Sequence, residues 1–373
     1  MLIDLDDTLY HQDAKPFALA STTDPRFFDR YWIEANDPRG EMAIAAGMAI
    51  YKNTNAIDGF VMIRRHGIQY NIRVARPLDL DFSQQVGPLR IEVVKPLQEL
   101  RLVLEDTHGL SAEFLWRGCT YPLEEKRHYL LRKTHVLNDY LRYDQFGKSE
   151  GHITIDGERH EFDDWWGNRD HSWGVRPNQG GFDIRIGRGS QYEGGLLYQY
   201  ACWGNDNHAG YVQIHKTGTN QKTYIDGKMR FAGEPEGTPA LNMVDGDVSV
   251  EFVPGTRVYS KAGATFTTED GRDWEIVAKP LGPAYALHGS GYDRGFNDGR
   301  AQGFHRDHLV VEHDRYDISD LAKVTMLDTG EPVHGFHREQ AVAIVMNGEE
   351  TALGHYTIIP FGNYKLPPKG EDS

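Results

Sequence analysis

A chain of 373 residues with 40 Lys and Arg against 55 Asp and Glu carries a net charge of −15, which repels phosphate backbones and anionic headgroups and excludes nucleic-acid or membrane-surface binding as a primary role. Its length passes the roughly 250–300 residues that one hydrophobic core serves, so two domains are expected. No run of about 18 apolar residues occurs and the opening segment lacks an apolar core behind a positive start, so a soluble, cytoplasmic protein without membrane insertion is expected.

The 40 glycines, 19 tyrosines and 16 phenylalanines, with recurring Asp-Gly, Asn-Gly and Gly-Glu pairs, are the punctuation of short strands and tight turns and predict an all-β fold with few short helices. In chain order, Met42–Tyr51, Gly59–Arg65, Ile68–Ala75, Leu89–Val94, Leu100–Glu105 and Ala112–Arg117 read as an antiparallel meander. Arg101-Leu102-Val103-Leu104-Glu105 alternates at period two, as a strand with one wet face demands. The segment 124–143 is ambiguous: Leu130, Thr134, Leu137 and Leu141 sit at helical spacing, whereas Tyr140–Phe146 suits a strand. Strands resume at His152–Ile155, turn at Asp156-Gly157 into His160–Phe162, and continue through Phe182–Ile186, Leu196–Trp203 and Tyr211–His215.

A boundary near residue 205 divides a domain of residues 1–205 from one of residues 206–373. The second series comprises Asp247–Phe252, Ala264–Thr268, Trp274–Ala278, Leu309–Glu312, Gln340–Val345 and His355–Pro360, ending in a tail, Lys365–Ser373, expected to be disordered. Cys119 and Cys202 lack any CxxC companion pattern and are expected to be free thiols.

The densest chemistry lies in Phe162–Arg176, which holds Trp165, Trp166, Trp173, His171, Arg169, Arg176 and three aspartates between glycines that let the backbone bend. An imidazole titrating near neutrality is the natural proton donor or acceptor, an adjacent carboxylate such as Asp170 can orient it, and an indole face can stabilise a cation. On the plainer reading, Asp170 forms a buried ion pair with Arg169 or Arg176, and the tryptophans are core.

Arg169-Asp170-His171-Ser172-Trp173-Gly174-Val175-Arg176 resembles the signature of the carotenoid 1,2-hydratase (hydroxyneurosporene synthase) and AttH-like superfamily. The resemblance extends to Thr23–Trp32, Asp58-Gly59-Phe60 and, more loosely, His288–Tyr292. It implies two lipocalin-like antiparallel β-barrels side by side and a catalytic set of His171, Trp173 and Tyr198. Tyr200 stands where the hydratase pattern has aspartate, so either Asp170 supplies the carboxylate or the reaction differs.

Two further patterns compete. His305, Asp307, His308, Glu312 and His313, with His334, His337 and Glu339 near a second copy of Gly-Phe-His-Arg-Asp/Glu, could gather three metal ligands if the copies paired across strands. In an exposed hairpin such residues are solvated, and only part of the set shares one face at period two. No metal is expected, so exhaustive chelation should leave both turnover and the thermal midpoint unchanged, and a fall in either would promote this cluster to a site. Asp4-Leu5-Asp6-Asp7-Thr8 matches the DxDxT motif of haloacid-dehalogenase-like phosphatases, with Asp4 as nucleophile and Asp6 as general acid. That fold needs a buried parallel strand before the motif, which three terminal residues do not supply. With no Walker loop, GxGxxG or GxSxG in the required setting, nucleotide cofactors and serine hydrolysis are not expected.

The sequence thus predicts an enzyme without cofactor acting on a hydrophobic small molecule by proton transfer. His171 delivers the proton, Asp170 orients it, Trp173 with Trp165 or Trp166 faces positive charge, Tyr198 places water, and Tyr200 and Arg176 line the substrate space. The alternative is a non-catalytic lipocalin-like carrier. A homodimer is compatible with either.

Overall fold

The computed structural model describes residues 2–132, 134–182, 194–235, 237–254, 256–333, 338–362 and 364. Among them there is no α-helix, only short 3-10 turns, and every strand pairing is antiparallel. Period-two patterning is the cause. In strand Glu99–Thr107, Leu100, Leu102 and Leu104 are buried while Arg101 and Glu105 are exposed, so one face supplies core and the other meets water.

The first sheet runs in the order Val310–Asp317, Ile68–Pro77, Ala56–Arg65, Met42–Tyr51, Phe27–Asn36, Glu158–Val175, His135–Ile155, Leu110–Gly118, Glu99–Thr107, Leu89–Lys95. Its long strands all send side chains into one apolar interior, which includes Ile33, Ile44, Val61, Ile72, Leu102 and Trp116. Strand Met42–Tyr51 is buried on both faces: Ile44, Ala46 and Met48 join that interior, whereas Ala43 and Ala45 lie beneath Trp32, Phe60, Tyr285 and Leu287 on the outer side. Small residues are required there, since a Cβ on Gly47 would come within 2.6 Å of the Phe60 ring.

The second sheet closes on itself. Strands Leu196–Gly204, His208–Thr217, Lys222–Phe231, Leu241–Phe252, Tyr259–Thr268 and Asp273–Pro280 continue into Arg338–Met346 and Glu350–Phe361, and the pairing of Ile276 with Met346 through Pro280 with Val342 completes an eight-stranded barrel.

Three expectations change. Leu196–Trp203, read with the first series ahead of the boundary near residue 205, is a barrel strand between His208–Thr217 and Glu350–Phe361. The segment 124–143 is extended, not helical: Leu123–Glu124 and His128–Arg132 pair with the long strand His135–Ile155, which also pairs with Glu158–Val175 and Leu110–Gly118. Strand neighbours on both sides override the local helical spacing. Leu309–Glu312, read with the second series, instead begins a strand added to the first sheet beside Ile68–Pro77. The reason is electrostatic: this register brings Glu312 (3.3 Å) and Asp314 (2.7 Å) to the buried Arg73 guanidinium. Cys119 and Cys202 are free thiols. No helix among the described residues is long and apolar enough to cross a membrane. The expected strand at 183–186 and the tail at 365–373 lie outside the described residues.

Where the sheets meet, Phe146 packs on Gly204, whose Cβ would lie 2.5 Å from its ring. Beside it His355 of the barrel reaches Glu34 of the first sheet at 2.9 Å and Glu339 at 2.5 Å. Burial alone would discharge this imidazole, but Glu34 and Glu339 outweigh it and hold its pKa up at about 10. A group raised in the folded state stabilises fully below its unfolded pKa, here 6.5, and ceases to as pH rises through about 10. His355→Gln should therefore cost about 1–3 kcal/mol at neutral pH, and the gap to wild type in urea melts should close between neutral pH and about 10. A gap that persists unchanged at high pH would remove the charge from this account.

Candidate functional site

Strand Glu158–Val175 lies between Phe27–Asn36 and His135–Ile155 in unbroken register over the motif, which places His171 opposite Tyr31 and Tyr143, Trp173 opposite Asp29 and Leu141, and Arg169 opposite Ile33 and Gln145. Ile33 belongs to the apolar interior, so period two turns residues 169, 171 and 173 towards the concave side.

There the His171 ring meets Tyr31 (4.5 Å between centroids), Trp173 (5.1 Å) and Tyr143 (5.4 Å), a box of three aromatic rings. Its Nε2 lies 2.7 Å from Asp29 Oδ1. Burial deepens along this face, from Asp29, 46% exposed, to His171, 21%, and to Arg169, 1%; the imidazole therefore stands near an opening, with the guanidinium deeper inside. Burial pushes the Tyr31 phenol up to about 12, with Tyr143 and Asp29 adding to the rise, and burial raises Tyr143 as well. Both therefore remain hydroxyl donors at neutral pH. Arg169 donates from Nε to Gln145 Oε1 at 3.0 Å and lies over the rings of Trp116 (5.2 Å) and Tyr143 (5.3 Å).

Other residues singled out in the sequence lie elsewhere. Asp170 is directed towards the second sheet. Burial raises its carboxyl to about 6, with Arg142 pulling it down and Asp144 pushing it up, and it makes no hydrogen bond among the described residues. It does not orient His171, because consecutive residues of a strand project to opposite sides; Asp29 has that place. For the same reason Asp170 and Arg169 form no ion pair. Tyr198 lies on the outer face of the barrel, between the sheets and against His215, 4.9 Å between rings, and the buried Tyr200 donates to Asp144 Oδ1 at 2.8 Å; neither is brought to His171. Arg176 donates to the Tyr292 hydroxyl at 2.7 Å and lies over the Phe28 ring. Trp165 stacks on Phe162 at 4.2 Å within the interior. Trp166 stacks on Phe146 between the sheets.

The histidine-rich pattern does not assemble. His305 contacts the Asn55 carbonyl and Asp307, Glu312 binds Arg73, His313 stacks on His108, and Glu339 binds His355. Among the described residues no group of three potential ligands converges, while His334 and His337 lie outside them. Asp4–Asp7 forms a 3-10 turn in which Asp6 accepts from the backbone of Ile3 and Phe17.

Residues 2–351 match a family described only as a family of unknown function, DUF8625. The chain belongs to that family. No curated protein matches this DUF8625 chain. A crystal structure from Nitrosomonas europaea described as an AttH is similar at 11% identity and TM-score 0.50, over 91% of this chain and 94% of that one. Kievitone hydratase from Nectria haematococca is similar at 10% identity and TM-score 0.47, over 89% of this chain and 88% of that one. The AttH likeness shows the fold, paired antiparallel β units, in agreement with the sequence resemblance.

Sequence reading found His171 and Trp173 but missed Asp29, Tyr31, Tyr143 and the isolation of Arg169. A signal for the first two existed: the segment 23–32 belongs to the same resemblance as 169–176, and segments that share a site are expected to be sheet neighbours. Tyr143 had none, because its strand read in part as helix.

Proposed function

We propose that this chain is a cofactor-independent enzyme that moves a proton on a hydrophobic small molecule, isoprenoid, steroid-like or polyaromatic, in a hydration, dehydration or isomerisation, with His171 as the acid–base group. The observation that supports it most is the Asp29–His171 pair boxed by Tyr31, Tyr143 and Trp173 at the partly exposed edge of an apolar interior. With Nε2–H donated to Asp29, the neutral imidazole keeps Nδ1 as its acceptor, and Nδ1 makes no hydrogen bond among the described residues. As the neutral base that nitrogen takes a proton from carbon and returns it after rearrangement; as the imidazolium it delivers its proton to the double bond, and the water that adds to the resulting cation gives a proton back to it. Tyr31, held protonated, donates to a substrate oxygen, and the Trp173 face lies where it lowers the energy of developing positive charge. Addition of water to an isolated double bond, the hydratase reaction that the sequence resemblance implies, is one member of this class.

The test is incubation in D2O with a panel of isoprenoid, steroid and polyaromatic alkenes and alcohols, followed by mass spectrometry. Deuterium incorporation that depends on His171 is expected. A second reading has its own observation, the unbonded Asp170 carboxyl raised to about 6 between the sheets: exchange that survives His171→Gln and is lost in Asp170→Asn would move the chemistry there. Tight ligand binding with no exchange in any variant would make the protein a carrier.

A further inference from the structure

We infer that the site beside His171 takes a substrate bearing a carboxylate, and that Arg169 is the group that binds it. Arg169 is 1% exposed, yet among the described residues it has no acidic partner, its one hydrogen bond is to Gln145, and its Nη2 is buried with no acceptor. The other buried arginines are provided for. Arg26 binds Asp24, Arg73 binds Asp314, Arg306 binds Asp298, Arg64 donates to the carbonyls of Gly40 and Leu281, and Arg30, which binds no acid directly, donates to the Tyr51 and Tyr292 hydroxyls and to Gln179 Oε1. A buried cation left unpaired is costly, and the rings of Trp116 and Tyr143 offset only part of that cost. A planar fork with a buried donor that has no acceptor matches a carboxylate's two oxygens.

The position fits the chemistry of the site. Arg169 and His171 are two residues apart on one face of a strand, about 7 Å, so an acid seated on Arg169 places a nearby carbon of its apolar body at the imidazole. An unneutralised guanidinium at that distance would also oppose any positive charge developing beside Trp173, and a bound carboxylate cancels it. The phenols of Tyr31 and Tyr143, both held protonated, are further donors to the same head group.

The inference takes the site of the proposed function, but its test reads binding alone. The protein is loaded with the neutral fluorophore N-phenyl-1-naphthylamine and titrated with dodecanoate or dodecanol. Dodecanoate should displace it at about 10–100-fold lower concentration than the alcohol, the worth of a charge-assisted hydrogen bond. Arg169→Met should abolish the preference by weakening dodecanoate alone. If Arg169→Met fails to fold, Arg169→Lys carries the test: keeping charge but losing the fork, it should retain a reduced preference. Equal displacement by acid and alcohol in wild type, or a preference untouched by either variant, overturns the inference. His171→Gln should keep the preference, so failure of the catalytic reading and of this one are told apart.

Discussion

His171→Ala is expected to lower deuterium exchange into substrate about 10²–10⁴-fold, the worth of a positioned general acid–base, with the thermal midpoint unchanged. The partner of the imidazole is what makes the second half of that statement sharp. Had His171 braced a buried acid, its loss would strand an uncompensated charge and lower stability. Its partner is Asp29, which is 46% exposed and stays hydrated when the imidazole is removed, so the structural cost is that of one surface hydrogen bond, about 0–1 kcal/mol. Asp29→Asn keeps an oxygen that accepts from Nε2 but loses the charge, so exchange should fall less than in His171→Ala. Ligand affinity should change little in either variant. A lowered midpoint with a proportionate loss of activity would make His171 a brace and return the protein to the carrier reading.

How far the sequence could be read follows from which interactions are local. Alternation along Arg101–Glu105 and the density of turn pairs announced antiparallel strands, because period two is written in neighbouring residues. The same rule, applied to the motif itself, separates His171 from Asp170 without any structure, since adjacent strand residues cannot share a face. Which strand lies beside which is not local: the contacts of Tyr31 and Tyr143 with His171 join positions 31, 143 and 171, and nothing in the spacing of the motif specifies them. The return of Val310–Asp317 to the first sheet was hidden for the same reason, although the acids at 312 and 314 needed a buried cation, and Arg73 supplies it.

Arg142→Met is expected to cost about 3–5 kcal/mol at neutral pH, the usual penalty for breaking a buried ion pair from one side. Arg142 holds the first sheet to the barrel. It donates to Glu125 at 2.9 Å and to Gln213 at 2.9 Å, lies 3.6 Å from Asp144, and covers the ring of Tyr200 at 4.6 Å. The nearby imidazoles add no charge to the task, because burial lowers His128 and His215 to about 3 and leaves both neutral, although His128 hydrogen-bonds Glu125 at 2.7 Å. Burial pushes the carboxyls of Glu125 and Asp144 upward, their mutual repulsion adds to the rise in Asp144, and Arg142 pulls both down. Without Arg142 both rise further, and the folded state then holds protons that the unfolded chain releases above about pH 4. A folded state that binds more protons loses stability as pH rises, so the deficit of Arg142→Met against wild type in urea melts should be smallest at acid pH, where both carboxyls are protonated in either protein, and should widen as pH rises. A deficit independent of pH would mean that the loss is one of packing against Tyr200. Adding Glu125→Gln to Arg142→Met should then settle the matter, because removing one of the stranded acids restores part of the stability only if their charge was the cost.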